Sequence, residues 1–194
     1  MNLDQIMQDC YGGMALEPQM WKNDPLFELF DLAKDQYQFL ENGEYNETMF
    51  SSARKEVSVV INQLFSGNQE VIIVIDTASQ TVNGKHHGFV RKIIKQRKSV
   101  VFSSHQSDYH KGEGEQLILT TISQNIDWSK LMDCLLNQDF PNRKPRFKTT
   151  KEADYPSIYL IHPQNGIILH MYDDRGYVIY FPDEVIKEAF EKQK

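Results

Sequence analysis

Residues 70–76 read Glu-Val-Ile-Ile-Val-Ile-Asp, and this run constrains the fold more than any other part of the 194-residue chain. β-Branched side chains are stiff at χ1 and fit a pleated strand better than a helix. A strand with one wet face alternates apolar and polar residues, because successive side chains point to opposite faces. Five consecutive Val and Ile residues leave no polar face. The run therefore predicts a central strand covered on both faces.

The neighbouring segments supply helices to cover it. Phe50, Ala53, Val57, Val60, Ile61 and Leu64 recur at helical spacing over residues 46–65. Asn46 or Thr48 caps the start and Gly67 lies just past the end. Asp127 caps a second helix with the stripe Trp128, Leu131, Met132, Leu135 and Leu136. Residues 89–98 predict a third, with Phe89, Val90, Ile93 and Ile94 on one face and five basic residues around the rest. Pro25, after Asn23 or Asp24, predicts a helix over residues 25–33. Strands are predicted at 37–41, 99–103 and 116–123. Residues 104–115 read as a polar loop and residues 142–153 as a basic linker. Residues 1–23 read as a partly irregular N-terminal arm with a short helix at 3–9, and residues 24–194 as a single domain.

The chain closes on a three-stranded meander. A strand over residues 157–162 precedes a Pro163-Gln164-Asn165-Gly166 turn. Two period-two runs then flank Tyr172-Asp173-Asp174-Arg175-Gly176. Asp side chains hydrogen-bond nearby backbone amides and so start turns. Gly176 is expected at positive φ, closing a type I turn with a G1 bulge. Asp183 caps a terminal helix with Val185, Ile186, Ala189 and Phe190 as its buried face. No βαβ rhythm repeats, so the expected class is α+β. It is read as a mainly antiparallel mixed sheet packed by helices, ending in the meander and a C-terminal helix.

The last third also carries a resemblance. Tyr159-Leu160-Ile161, Pro163 and the run from Ile168 through Tyr172-Asp173-Asp174-Arg175-Gly176 resemble the signature of an uncharacterised bacterial family, catalogued as a domain of unknown function and common in low-GC Gram-positive bacteria. Phe39-Leu40-Glu41, Ala53-Arg54, Asn62-Gln63-Leu64-Phe65, Ile126-Asp127-Trp128 and Asn137-Gln138-Asp139-Phe140-Pro141 fit the same pattern. That resemblance implies a strand, a turn, a second strand and a terminal helix, and no established activity. It implies that Asp174 and Arg175 act together. An acidic residue is usual two places beyond the glycine, where this chain has Val178.

Chemistry is sparse outside that turn. A net charge of −6 argues against a general nucleic-acid binder. Cys10 and Cys134 have no CxxC partner, which fits a reducing compartment. No apolar run reaches about 18 residues and the first residues lack a signal pattern, so a cytoplasmic chain without membrane contact is expected. There is no HExxH, P-loop, GxGxxG or GxSxG. His86, His87, His105, Asp108 and His110 read as solvated loop residues, so no metal and no cofactor are expected.

Tyr172, Asp173, Asp174 and Arg175 are the candidate binding residues. A protein partner is the expected ligand, and the chain leans away from catalysis. Its expected role is a non-enzymatic protein-binding module, immunity- or antitoxin-like or regulatory. The alternative is a small metal-dependent hydrolase or nuclease using Asp76, His170 and Asp174. Partner identity and oligomeric state stay open.

Overall fold

β2 (Glu70–Thr77) lies inside a sheet, between β4 (Gly114–Ile122) and β5 (Ser157–Ile161), and its residues 71–75 are at most 2% exposed. The continuous apolar run is thus a strand covered on both faces. The computed structural model describes residues 2–17, 26–77, 90, 92–107, 114–147 and 155–192, the side chains of 105–107 excepted. β1 (Phe27–Asp31), β3 (Val101–Ser107), β6 (Ile168–Asp173) and β7 (Gly176–Tyr180) complete a seven-stranded sheet of order β1-β7-β6-β5-β2-β4-β3. Every neighbouring pair is antiparallel. Four α-helices pack on it among the described residues: α1 (Leu3–Tyr11), α2 (Glu47–Phe65), α3 (Trp128–Leu136) and α4 (Glu184–Glu191). The class is α+β, and β5, β6 and β7 form the expected meander ahead of the C-terminal helix.

Alternation along each strand sorts the core into two layers. Val71, Ile73 and Ile75 of β2 pack with Ile158 and Leu160 of β5 and with the apolar stripes of α2 and α3. Ile72 and Val74 pack with Tyr159, Ile161, Val178, Tyr180 and α1. Each fully buried Val or Ile contributes roughly 1.5–3 kcal/mol. α1 is held in place by polar groups as well. The Asn2 side chain accepts from Gln5 N at 2.9 Å, and the Tyr11 hydroxyl donates to the Gly166 carbonyl at 2.7 Å. Gly166 must lack a side chain, because a Cβ there would stand 2.6 Å from Cys10 Sγ.

Several sequence expectations need correction. Residues 25–33 do not form a helix where described: Phe27–Asp31 is edge strand β1, paired over five positions with β7. A short helical signal is a weak prior, and an unpaired β7 edge with packing for Phe27 on one face and Phe30 on the other outweighs it. Residues 37–41 form a loop, with a single bridge from Phe39 to Tyr45. The strand expected at 99–103 begins at Val101 after a 3₁₀ turn, Arg97–Ser99, and it runs on to Ser107 into the expected polar loop. On α4, Val185 is 76% exposed and Ala189 is exposed, so Phe190 is the buried anchor with Ile186 half-buried. Of the basic helix expected at 89–98, residues 90, 92 and 93 are helical, with Val90 and Ile93 buried. Ile94 bridges to Ile126 and Arg97–Ser99 is the 3₁₀ turn, so the helical span is shorter than expected. Residues 148–153 of the basic linker lie outside the described residues.

Candidate functional site

The β6–β7 hairpin is built by one carboxylate. Met171 pairs with Tyr177 and Asp173 with Gly176, so Tyr172 is an extra, bulged residue and Asp174-Arg175 is the two-residue loop. Arg175 N donates to Asp173 Oδ1 at 2.7 Å and Arg175 Nε to Oδ2 at 2.8 Å, with Nη2 also on Oδ2. Asp173 therefore closes the turn from below while the guanidinium folds back over it. Its side chain is 8% exposed and that of Arg175 is 68% exposed. Gly176 does not carry the positive φ expected of it. It is required for another reason: a Cβ would stand 2.5 Å from the Phe30 carbonyl oxygen and closer still to the Tyr172 hydroxyl.

Asp174, beside this pair, is 3% exposed. Its carboxyl accepts a hydrogen bond from the Gln38 side chain. Asp139, which follows α3, approaches from the other side. Carboxylate oxygens of Asp139, Asp173 and Asp174 all lie within 4.8 Å of one another. Asp174 Oδ2 is buried and has no hydrogen-bond partner. Burial pushes the Asp174 carboxyl above the usual carboxylate range, the Gln38 bond opposes this, and the charges of Asp173 and Asp139 reinforce it.

A third wall comes from residues 32–46. Leu32 N donates to the Arg175 carbonyl at 2.7 Å. Ala33 and Asp35 then take φ of 46° and 63°, a left-handed conformation that non-glycine residues adopt at a cost of order 1–3 kcal/mol. Such strain concentrates beside functional sites. Beyond them the chain forms a pinned loop. Leu40 N donates to Glu44 O, Asn46 N to Gln38 O and Asn46 Nδ2 to Tyr37 O, at 2.8, 2.9 and 3.0 Å. The Phe39 ring rests on Tyr45 and Phe140, with centroids 5.3 and 6.0 Å away. Tyr37 is nevertheless 80% exposed, Phe39 51% and Leu40 47%.

Next to this lies a cleft of about 330 Å³ lined by Glu47, Phe50, Arg54, Asp133, Asn137 and Arg143. Arg143 stacks on Phe50 at 3.7 Å and is clamped by Glu47, while Arg54 pairs with Asp133. Its cations are thus matched by the acids of its own wall.

The four residues expected to bind, Tyr172, Asp173, Asp174 and Arg175, share one hairpin tip. The three candidate catalytic residues do not come together. Asp76 is buried on the α1 side of β2, where Gln116 Nε2 donates to it at 2.8 Å. His170 is on the same side, stacked on Tyr159 at 4.4 Å, and burial pulls its pKa down to about 4. Asp174 points instead toward Gln38 and Asp139. The sequence reading missed Asp139, Gln38, Tyr37, Phe39 and Leu40 as site residues. Asp139 and Phe140 stand in a segment quoted for the family resemblance, but nothing local in the sequence joins them to a turn over 30 residues away. His86, His87, Asp108 and His110 and the His105 side chain lie outside the described residues.

Fold and site define a small α+β protein with a carboxylate-lined hairpin tip, framed by a loop of exposed aromatics. The chain belongs to the family described as Domain of unknown function (DUF3885), whose model matches residues 15–192. It is similar to the uncharacterized protein YnaE of Bacillus subtilis strain 168, at 24% identity over 207 residues covering 99% of this chain and 95% of that protein. No solved structure matches it. Among the described residues, no helix is long and apolar enough to cross a membrane.

Proposed function

We propose that this chain is a non-enzymatic protein-binding module, of the inhibitory (immunity- or antitoxin-like) or regulatory kind, whose recognition face is the β6–β7 tip with the loop at residues 37–45. The observation that carries this reading is the exposure of Tyr37, Phe39 and Leu40 on a loop pinned by its own backbone hydrogen bonds. Exposed aromatic side chains on a rigid frame supply contact area at small entropic cost, and aromatics are enriched at binding hot spots. Asp139 and Arg175 form a charged rim beside them. A net charge of −6 favours a basic partner and speeds its encounter.

The hydrolase alternative draws less support. Asp76 and His170 face the α1 layer, so Asp174 has neither as an acid–base partner. Catalysis needs such groups within hydrogen-bond reach of the same substrate atom.

The test is affinity capture from the host's own lysate with wild type and with the double variant Tyr37→Ser, Leu40→Ser. The expected result is a basic protein retained by wild type, released by salt, and lost with the folded variant. Equal retention by both would overturn the proposal.

A further inference from the structure

We propose that Asp139, Asp173 and Asp174 form a binding site for one divalent cation of the hard, oxygen-preferring kind, such as Ca²⁺, Mg²⁺ or Mn²⁺. This goes beyond the partner-binding reading and does not depend on it.

Three observations carry the inference. The first is spacing. The three carboxylate oxygens lie within 4.8 Å of one another, and hard cations hold oxygen ligands at about 2.0–2.6 Å, so ligands across an ion stand about 4–5 Å apart. The second is the state of Asp174. It is 3% exposed, its Oδ2 is buried with no hydrogen-bond partner, and two other carboxylates stand within 4.8 Å of the same carboxyl group. A buried carboxylate oxygen left without a donor is costly unless something positive reaches it. The third is support from outside the cluster. Gln38 holds Asp174, and Arg175 holds both oxygens of Asp173, so the two buried carboxylates keep their orientation without an ion. Such supporting hydrogen bonds are a regular feature of metal sites.

Charge agrees with geometry. The buried Asp174 carboxyl has two other carboxylates within 4.8 Å, and the Arg175 guanidinium on Asp173 is mostly in solvent. The donors are all carboxylate oxygens, which suit Mg²⁺, Ca²⁺ and Mn²⁺ rather than thiolate-seeking metals. Asp139 is exposed, so the ion has a way in and room to keep waters. The opposing explanation is that Asp174 simply holds a proton, which its raised pKa allows. The two explanations predict different results.

The experiment is a Mn²⁺ titration of the full chain, stripped first with chelator, read by the loss of the free Mn²⁺ signal in electron paramagnetic resonance. One Mn²⁺ per chain is expected, displaced by excess Ca²⁺ or Mg²⁺. Asp174→Asn should weaken binding by roughly tenfold or more. Asp139→Asn, at an exposed position, should do the same, with an unchanged melting curve checking that the variant is folded. Asp9→Asn, an exposed acid on α1, should bind as wild type does. No stoichiometric Mn²⁺ at millimolar concentration, or binding unchanged in Asp139→Asn, would overturn the proposal and leave the protonated carboxyl as the explanation. No partner enters this readout, so its failure and the failure of the partner reading are separable.

Discussion

The hydroxyl of Tyr172 stands where a side chain on Gly176 would begin. The bulge at Tyr172 swings its ring across the start of β7, and the backbone of Phe30 in β1 closes the same space from the other side. Gly176 is thus the point where three strands meet with no room for a methyl group.

Gly176→Ala should therefore destabilise the fold by about 1–3 kcal/mol, the usual cost of overpacking. Adding Tyr172→Ala should restore part of the loss in urea melts, since the Phe30 carbonyl remains. Full additivity of the two substitutions would show that the contact is not shared.

The two members of the Asp173–Arg175 pair are unequal. Asp173 accepts from the Arg175 backbone as well as its guanidinium, and its side chain is buried. The Arg175 side chain is about two-thirds exposed. Arg175→Ala should cost less than about 1 kcal/mol, as for other solvent-screened pairs. Asp173→Ala should cost more, because the turn loses its internal acceptor. Chemical denaturation of both variants gives the ranking.

Asp174 works against stability at neutral pH. Its folded-state pKa is raised, so the folded chain holds more protons than the unfolded one above the ordinary carboxylate value of about 3.9. Its contribution to stability then falls as pH rises through that window. In chelator-stripped protein, Asp174→Asn should raise Tm at pH 7 and change it little at pH 3. A lower Tm at pH 7 would contradict this account of the carboxyl.

His170 sets the opposite slope. It is buried neutral with a pKa of about 4, and unfolding returns it to about 6.5. Between those values the unfolded chain binds more protons, so stability is complete above pH 6.5 and is lost as pH falls toward 4. The full loss is about 3 kcal/mol. In His170→Phe the curve should be flatter across this window than in wild type, measured by melts at matched ionic strength.

Legibility followed distance along the chain. The central strand, α2, α3 and the β5–β7 meander were readable because their apolar spacing is local, and Tyr172 to Arg175 were readable because one turn contains them. β1 was not, because it becomes a strand only by pairing with a β7 nearly 150 residues later. Gly176 was identified as necessary for the wrong physical reason, since a turn signal does not reveal that Phe30 and Tyr172 crowd the position. Asp139, Gln38 and the exposed loop at 37–45 became site residues only when tertiary packing brought them to the hairpin. The third carboxylate of the tip, Asp139, comes from just beyond α3, whereas Val178 is buried in the α1 layer.

The central claim is that the hairpin tip and the 37–45 loop are a recognition face. The most direct measurement places a photo-crosslinking residue at Tyr37 in living host cells, and separately at Val59, which is 59% exposed on α2. The account predicts a discrete adduct with a basic protein from position 37, lost when Asp139 is replaced by Lys, and none from position 59. No adduct from position 37, or the same adduct from both positions, would contradict it.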